Sequence, residues 1–80
     1  MNKLTQLNSA YLTPNKTIET ILVSNGDNKK TLFIYNYQGV SFRVFPSQKK
    51  LDEFWKGEAE EDQHFSTENE LDRYLEQITL

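Results

Sequence analysis

The hydrophobic pattern of this chain changes period at Pro46, and that change constrains the fold more than any other feature. Before Pro46 apolar residues alternate with a period of two, the mark of strands; after it they recur at helical spacing. Residues 17–24 (TIETILVS) are rich in β-branched side chains, which suit a pleated, half-buried surface. They run into NGDNKK, where Asn25, Gly26 and Asp27 tolerate the positive φ angles of a reversal. Residues 31–37 and 40–45 flank Gln38-Gly39, a two-residue loop with glycine where a type I′ hairpin accepts it. The half before Pro46 therefore reads as a sheet of consecutive hairpins.

The loop also predicts a register. Closure at Gln38-Gly39 sets Tyr37 opposite Val40, Tyr35 opposite Phe42 and Phe33 opposite Val44, so these side chains share a face. A four-residue turn at residues 26–29 adds Leu22 and Thr20 to that face, which is expected to be core. The other face then carries Glu19, Ile21, Val23, Leu32, Ile34, Asn36, Ser41, Arg43 and Phe45. An apolar centre with a polar rim is what protein interfaces look like. The alternative is that the N-terminal segment covers it. Residues 2–12 fit a helix through Leu4, Leu7 and Tyr11 and a strand through Leu4, Ala10 and Leu12, and Thr13-Pro14 ends either.

Beyond Pro46, Ser47 can cap a helix running to Lys56, with Leu51, Phe54 and Trp55 along one stripe and Gly57 as its stop. Thr67-Glu68-Asn69-Glu70 fits a capping box, followed by Leu71, Tyr74, Leu75 and Ile78 at helical spacing. The expectation is one α+β domain over residues 1–80. Its antiparallel sheet has three or four strands, and its two C-terminal helices pack together on the aromatic face.

Composition narrows the function classes. A chain of 80 residues buries only about 60% of its unfolded surface, which leaves little apolar material for a deep pocket. There is no cysteine, so disulfides and thiolate metal sites are excluded and a reducing cytoplasm is expected. No apolar run approaches the roughly 20 residues of a membrane span, and the N-terminus lacks the apolar core of a signal peptide. Nine basic against twelve acidic residues give a net charge of −3, which disfavours direct nucleic-acid binding.

No catalytic, cofactor or metal residue is assigned. His64, the single histidine, stands beside the acidic run at residues 58–62, nominally a set of oxygen and imidazole ligands. The reading taken is a solvated loop between the helices, since no second histidine completes a zinc site and nothing fixes the geometry. No serine sits in a nucleophile elbow, and no glycine-rich strand-to-helix turn supplies an oxyanion hole. Phe33, Tyr35, Tyr37 and Phe42 beside Arg43 could stack RNA bases, but the register assigns them to the core. Lys49 and Lys50 fall in the first turn of a helix, where the macrodipole disfavours cations.

The order of features resembles a family. LNSAYL at residues 7–12, a strand ending in Asn25-Gly26, a short hairpin, FPSQKKLDEFWKG at residues 45–57 and a closing helix are similar to the compact anti-CRISPR proteins that phages direct against type I-F CRISPR systems. Most of the likeness lies in Phe45, Ser47, Leu51 and Gly57 with the aromatic pair Phe54 and Trp55. The resemblance implies a sheet backed by two helices with the N-terminal segment as an added strand. It implies inhibition by contact of a sheet face with the repeated backbone subunit of the surveillance complex, blocking target-DNA hybridisation without chemistry. The family's two contact tyrosines and a glutamate fall here at Gln6, Val23 and Leu32, all three departures from the pattern.

Together the outer face and the resemblance predict a non-enzymatic, phage-encoded inhibitor in the host cytoplasm, monomeric or a small homo-oligomer. It would bind a host defence protein, such as a CRISPR surveillance complex subunit, with Gln6, Glu19, Val23, Leu32, Asn36 and Arg43 at the contact. The alternatives are a protein that sequesters a small molecule or nucleotide, with Lys29, Lys30 or Arg43 meeting phosphate, and an immunity or antitoxin-type protein.

Overall fold

The computed structural model describes residues 2–57 and 63–80. It is α+β, with elements in the order β1 (Lys3–Thr13), β2 (Lys16–Asn25), β3 (Asn28–Tyr37), β4 (Ser41–Phe45), α1 (Gln48–Trp55), β5 (Gln63–Phe65) and α2 (Glu68–Gln77). The sheet is an antiparallel meander in chain order. It has five strands rather than three or four, because the N-terminal segment forms β1 against β2 and residues 63–65 add β5 against β4.

The two inner turns decide which side chains share a face. The β2–β3 reversal uses only Gly26 and Asp27, with Asn25 opposite Asn28. That differs from the expected four-residue turn by an even number of positions, so every side chain keeps its face. The β3–β4 turn has the expected chemistry, with Gln38 at φ +53° and Gly39 at φ +73°, and the Val40 N–H donates to the Tyr37 carbonyl at 3.0 Å. Yet Tyr37 pairs with Ser41, not Val40. Val40 is an extra residue, 60% exposed, and this single-residue slip turns all of β4 over.

The slip makes both faces of the sheet apolar. On one, Phe42 and Val44 join Ile21, Val23, Leu32 and Ile34 under Leu71 and Leu75 of α2. On the other, Phe45 joins Tyr35 under Leu51 of α1, with Ile18, Phe33 and Phe54 packed around them. The helices therefore cover opposite faces, not one, since each apolar face needs its own cover. The face carrying Val23 and Leu32 is the larger core: Val23 is 0% exposed, Ile34 1% and Leu32 3%. Burying each such side chain contributes about 1.5–3 kcal/mol.

Both helices begin as the sequence predicts. Ser47 Oγ accepts from the Lys50 N–H and Thr67 Oγ1 from the Glu70 N–H, each at 3.2 Å, satisfying donors the helices cannot. Past the Lys56 C-cap, Gly57 turns the chain at φ +75°, a left-handed conformation that favours glycine. Phe54 lies 5.6 Å from the Tyr35 ring and 5.1 Å from Phe45, in tilted geometries that aromatic pairs prefer. Lys50, in the first turn of α1, lies 3.6 Å from the Glu53 carboxylate, which offsets the unfavourable macrodipole.

The far end of α2 is held by a residue 73 positions away. The buried Asn2 side chain donates through Nδ2 to the carbonyls of Leu75 at 3.0 Å and Ile78 at 2.9 Å. Its backbone N–H reaches the Glu76 carbonyl at 3.4 Å. A helix C-terminus leaves its last carbonyls without intrahelical donors, and Asn2 supplies them.

Two outcomes follow. Asn2→Ala strands the Leu75 carbonyl and lowers stability by about 1–3 kcal/mol, and Asn2→Asp lowers it further by setting a carboxylate against the negative helix end; urea unfolding measures both. Val40→Thr changes stability by no more than about 0.5 kcal/mol. Deleting Val40 leaves Ser41 opposite Tyr37 across a two-residue Gln38-Gly39 loop, so Phe42 and Phe45 keep their faces and thermal unfolding is expected to stay cooperative.

Candidate functional site

Of the six residues that the sequence proposes for partner contact, the structure brings three together. Gln6 of β1, Glu19 of β2 and Asn36 of β3 lie on the α2 face, at the edge of a cleft of about 300 Å³ between the sheet and the start of α2. Val23 and Leu32 are buried in the core under α2 and not on an outer face. Arg43 lies on the opposite face, turned there by the Val40 slip. Its guanidinium sits 5.5 Å from the centre of the Phe54 ring of α1, a cation–π distance.

The cleft has an apolar floor and an acidic rim. Leu4, Ile21, Ile34, Phe42, Leu71 and Leu75 form the floor, and Glu68 and Asp72 of α2 join Glu19 around the mouth. Glu68 and Asp72 are one helical turn apart, so both project on the same side of α2. Glu68 also stands in the first turn, where the macrodipole favours a carboxylate. Glu19 is half-buried on the sheet opposite them. Burial raises its pKa above the ordinary 4.5, and repulsion from Glu68 and Asp72 adds to the rise. Among the described residues no group of three or more His, Asp or Glu side chains is disposed to hold a metal ion, so the three carboxylates surround the cleft without forming a ligand set.

Sequence reading missed Glu68 and Asp72. Their spacing beside Leu71 and Leu75 placed them next to the apolar stripe of the second helix, but only the register of the sheet shows that Glu19 faces them. Asn36 also acts locally, since its Oδ1 accepts from the Gly39 N–H at 2.9 Å and fixes the β3–β4 turn.

The remaining candidates are dispersed. Lys30 lines a more open cleft of about 650 Å³ near the end of α2, beside Gln63, Tyr74 and Gln77. Lys29 is on the other face of β3, six residues from Tyr35, the partner of Arg43. The three cations named for a phosphate do not converge. His64 is in β5, with Nε2 2.9 Å from Ser41 Oγ; the acidic run at residues 58–62 lies outside the described residues. No described helix is long and apolar enough to cross a membrane.

No protein-family model, curated protein or solved structure matches the chain.

The cleft carries a pH signature. Glu19 keeps its proton to higher pH folded than unfolded, so between the two pKa values the unfolded chain binds fewer protons and stability falls as pH rises. Below about pH 4.5 the penalty is absent; above the raised folded value it is complete. Glu19→Gln is expected to match the wild type near pH 4 and to be the more stable protein at pH 7, as thermal unfolding at the two pH values measures.

Proposed function

We propose that this chain is a non-enzymatic binding protein that inhibits a host defence protein, and that the cleft at the start of α2 receives a basic side chain of that partner. The observation that carries the reading is the pairing of an apolar floor with three carboxylates at one mouth. Lysine and arginine have that composition in reverse, an aliphatic stem with a cationic head. Seating one would lay the stem on Leu71 and Phe42 and bring the head to Glu19, Glu68 and Asp72. A partner cation would also lower the raised pKa of Glu19, so binding relieves a cost that the free protein carries.

The resemblance to type I-F anti-CRISPR proteins supplies the class of partner. A subunit that aligns a guide RNA with target DNA must offer cations to phosphates, and an acidic inhibitor of net charge −3 complements such a surface. The contact departs from the sheet-face mode that the resemblance implies, because α2 and α1 occupy both faces. The usable surface is the rim formed by Gln6, Glu19, Asn36, Glu68 and Asp72.

Binding to a purified type I-F surveillance complex, followed by biolayer interferometry, tests the reading. Wild-type protein is expected to bind, and Glu19→Gln with Glu68→Gln and Asp72→Asn to weaken binding at least about tenfold, equivalent to about 1.4 kcal/mol. The triple variant should unfold no earlier than the wild type, which separates lost contact from lost fold. Failure of the wild type to bind refutes the partner; equal binding by both proteins refutes the cleft.

A further inference from the structure

A sheet of this kind has two edges, and this one treats them unequally. β5 is three residues long and β1 is eleven. An exposed edge strand offers a row of unpaired N–H and C=O groups, and proteins protect such edges by shortness, charge, proline or bulges. β5 is protected by shortness. β1 has Lys3 as its one charged residue and contains no proline. Positions 4–13 carry no charge at all, in a chain where 26% of residues are charged and about two or three would be expected in a stretch of that length. Every residue of β1 except Leu4 is exposed, including Leu7 at 54%, Tyr11 at 78% and Leu12 at 48%. Two bulges, at Leu7 and Leu12, interrupt its pairing with β2 but leave residues 3–6 and 8–11 in regular register.

We propose that two copies of the chain pair antiparallel along β1, joining their sheets into one continuous sheet across a twofold axis. Charge selects a second copy as the occupant. The molecule is acidic, and its copies repel one another over most of their surface, yet any antiparallel register of positions 4–13 on themselves sets only neutral side chains opposite one another. Antiparallel pairing is also the arrangement that a twofold axis produces, since the same strand serves both sides. Paired in this way, the regular runs of β1 at residues 3–6 and 8–11 make about eight hydrogen bonds, within the range of a typical whole protein interface. Leu7, Tyr11 and Leu12 add apolar contact beside that ladder. The surface is distinct from the acidic cleft, since pairing uses the outer backbone edge of β1 and leaves Glu19, Glu68 and Asp72 open.

Sedimentation velocity from micromolar to sub-millimolar protein tests this, using charge reversal to locate the axis. Asn8→Lys with Ala10→Lys places like charges across the axis at two exposed positions on β1 and should raise the concentration for half-dimerisation at least about tenfold. Asn8→Glu with Ala10→Glu should do the same. Mixing the Lys and Glu variants should restore the dimer as a heterodimer. Circular dichroism and thermal unfolding establish that each variant is folded, and exposed charges on an edge strand are tolerated substitutions. A wild type that stays monomeric throughout the range overturns the proposal. So does a polydisperse aggregate in place of a discrete dimer, or a dimer unaffected by both substitution pairs and by their mixing.

Discussion

Everything in this fold depends on β3 being buried from both sides. Ile34 is 1% exposed against one core, and its neighbour Tyr35 is 8% exposed against the other. A strand with that pattern cannot sit on a sheet with a solvated face. It requires a cover on each side, and a chain of 80 residues has material for two short helices. The extra residue Val40 allows it, because β4 contains apolar side chains at both parities and distributes Phe42 and Val44 to one core and Phe45 to the other. With no slip, Arg43 would fall in the middle of the Ile34 face and Phe42 would crowd Tyr35.

The same constraint explains what was legible in the sequence and what was not. Turn chemistry, both helix caps, the Gly57 stop and strands 2 to 4 follow from local rules, and local rules operate within a few residues of where they are written. The slip at Val40 is not of that kind. Valine is a strand residue by propensity, and the SFRVF segment alternates acceptably in either register, so nothing nearby distinguishes a paired Val40 from an extruded one. The answer is set by the demand of α1 for Phe45 and of α2 for Phe42, a tertiary preference. That one position then moved Arg43 away from the site and converted Val23 and Leu32 from a supposed surface to the middle of a core. β5 escaped notice because three residues, Gln63, His64 and Phe65, carry no period.

The site shows the complementary situation. Its residues come from β1, β2, β3 and α2, and the sequence supplies no motif linking them. Glu19 and Asn36 follow from their polar place on an apolar face and Gln6 from the family resemblance, while Glu68 and Asp72 required the helix to be docked. Like charges held around a half-buried carboxylate work against folding, and a protein tolerates that where function needs it. The acidic rim therefore costs the free protein stability and does not add to it.

The Asn2 clamp has a consequence for how the molecule assembles. In the meander each strand finds its partner next along the chain, and β1 to β4 join through short turns at little entropic cost. Asn2 reaches across 73 and 76 positions to Leu75 and Ile78, and those bonds can form only after both the sheet and α2 exist. The clamp acts as a latch that forms late: it contributes little to the speed of folding and mainly slows the opening of the finished structure.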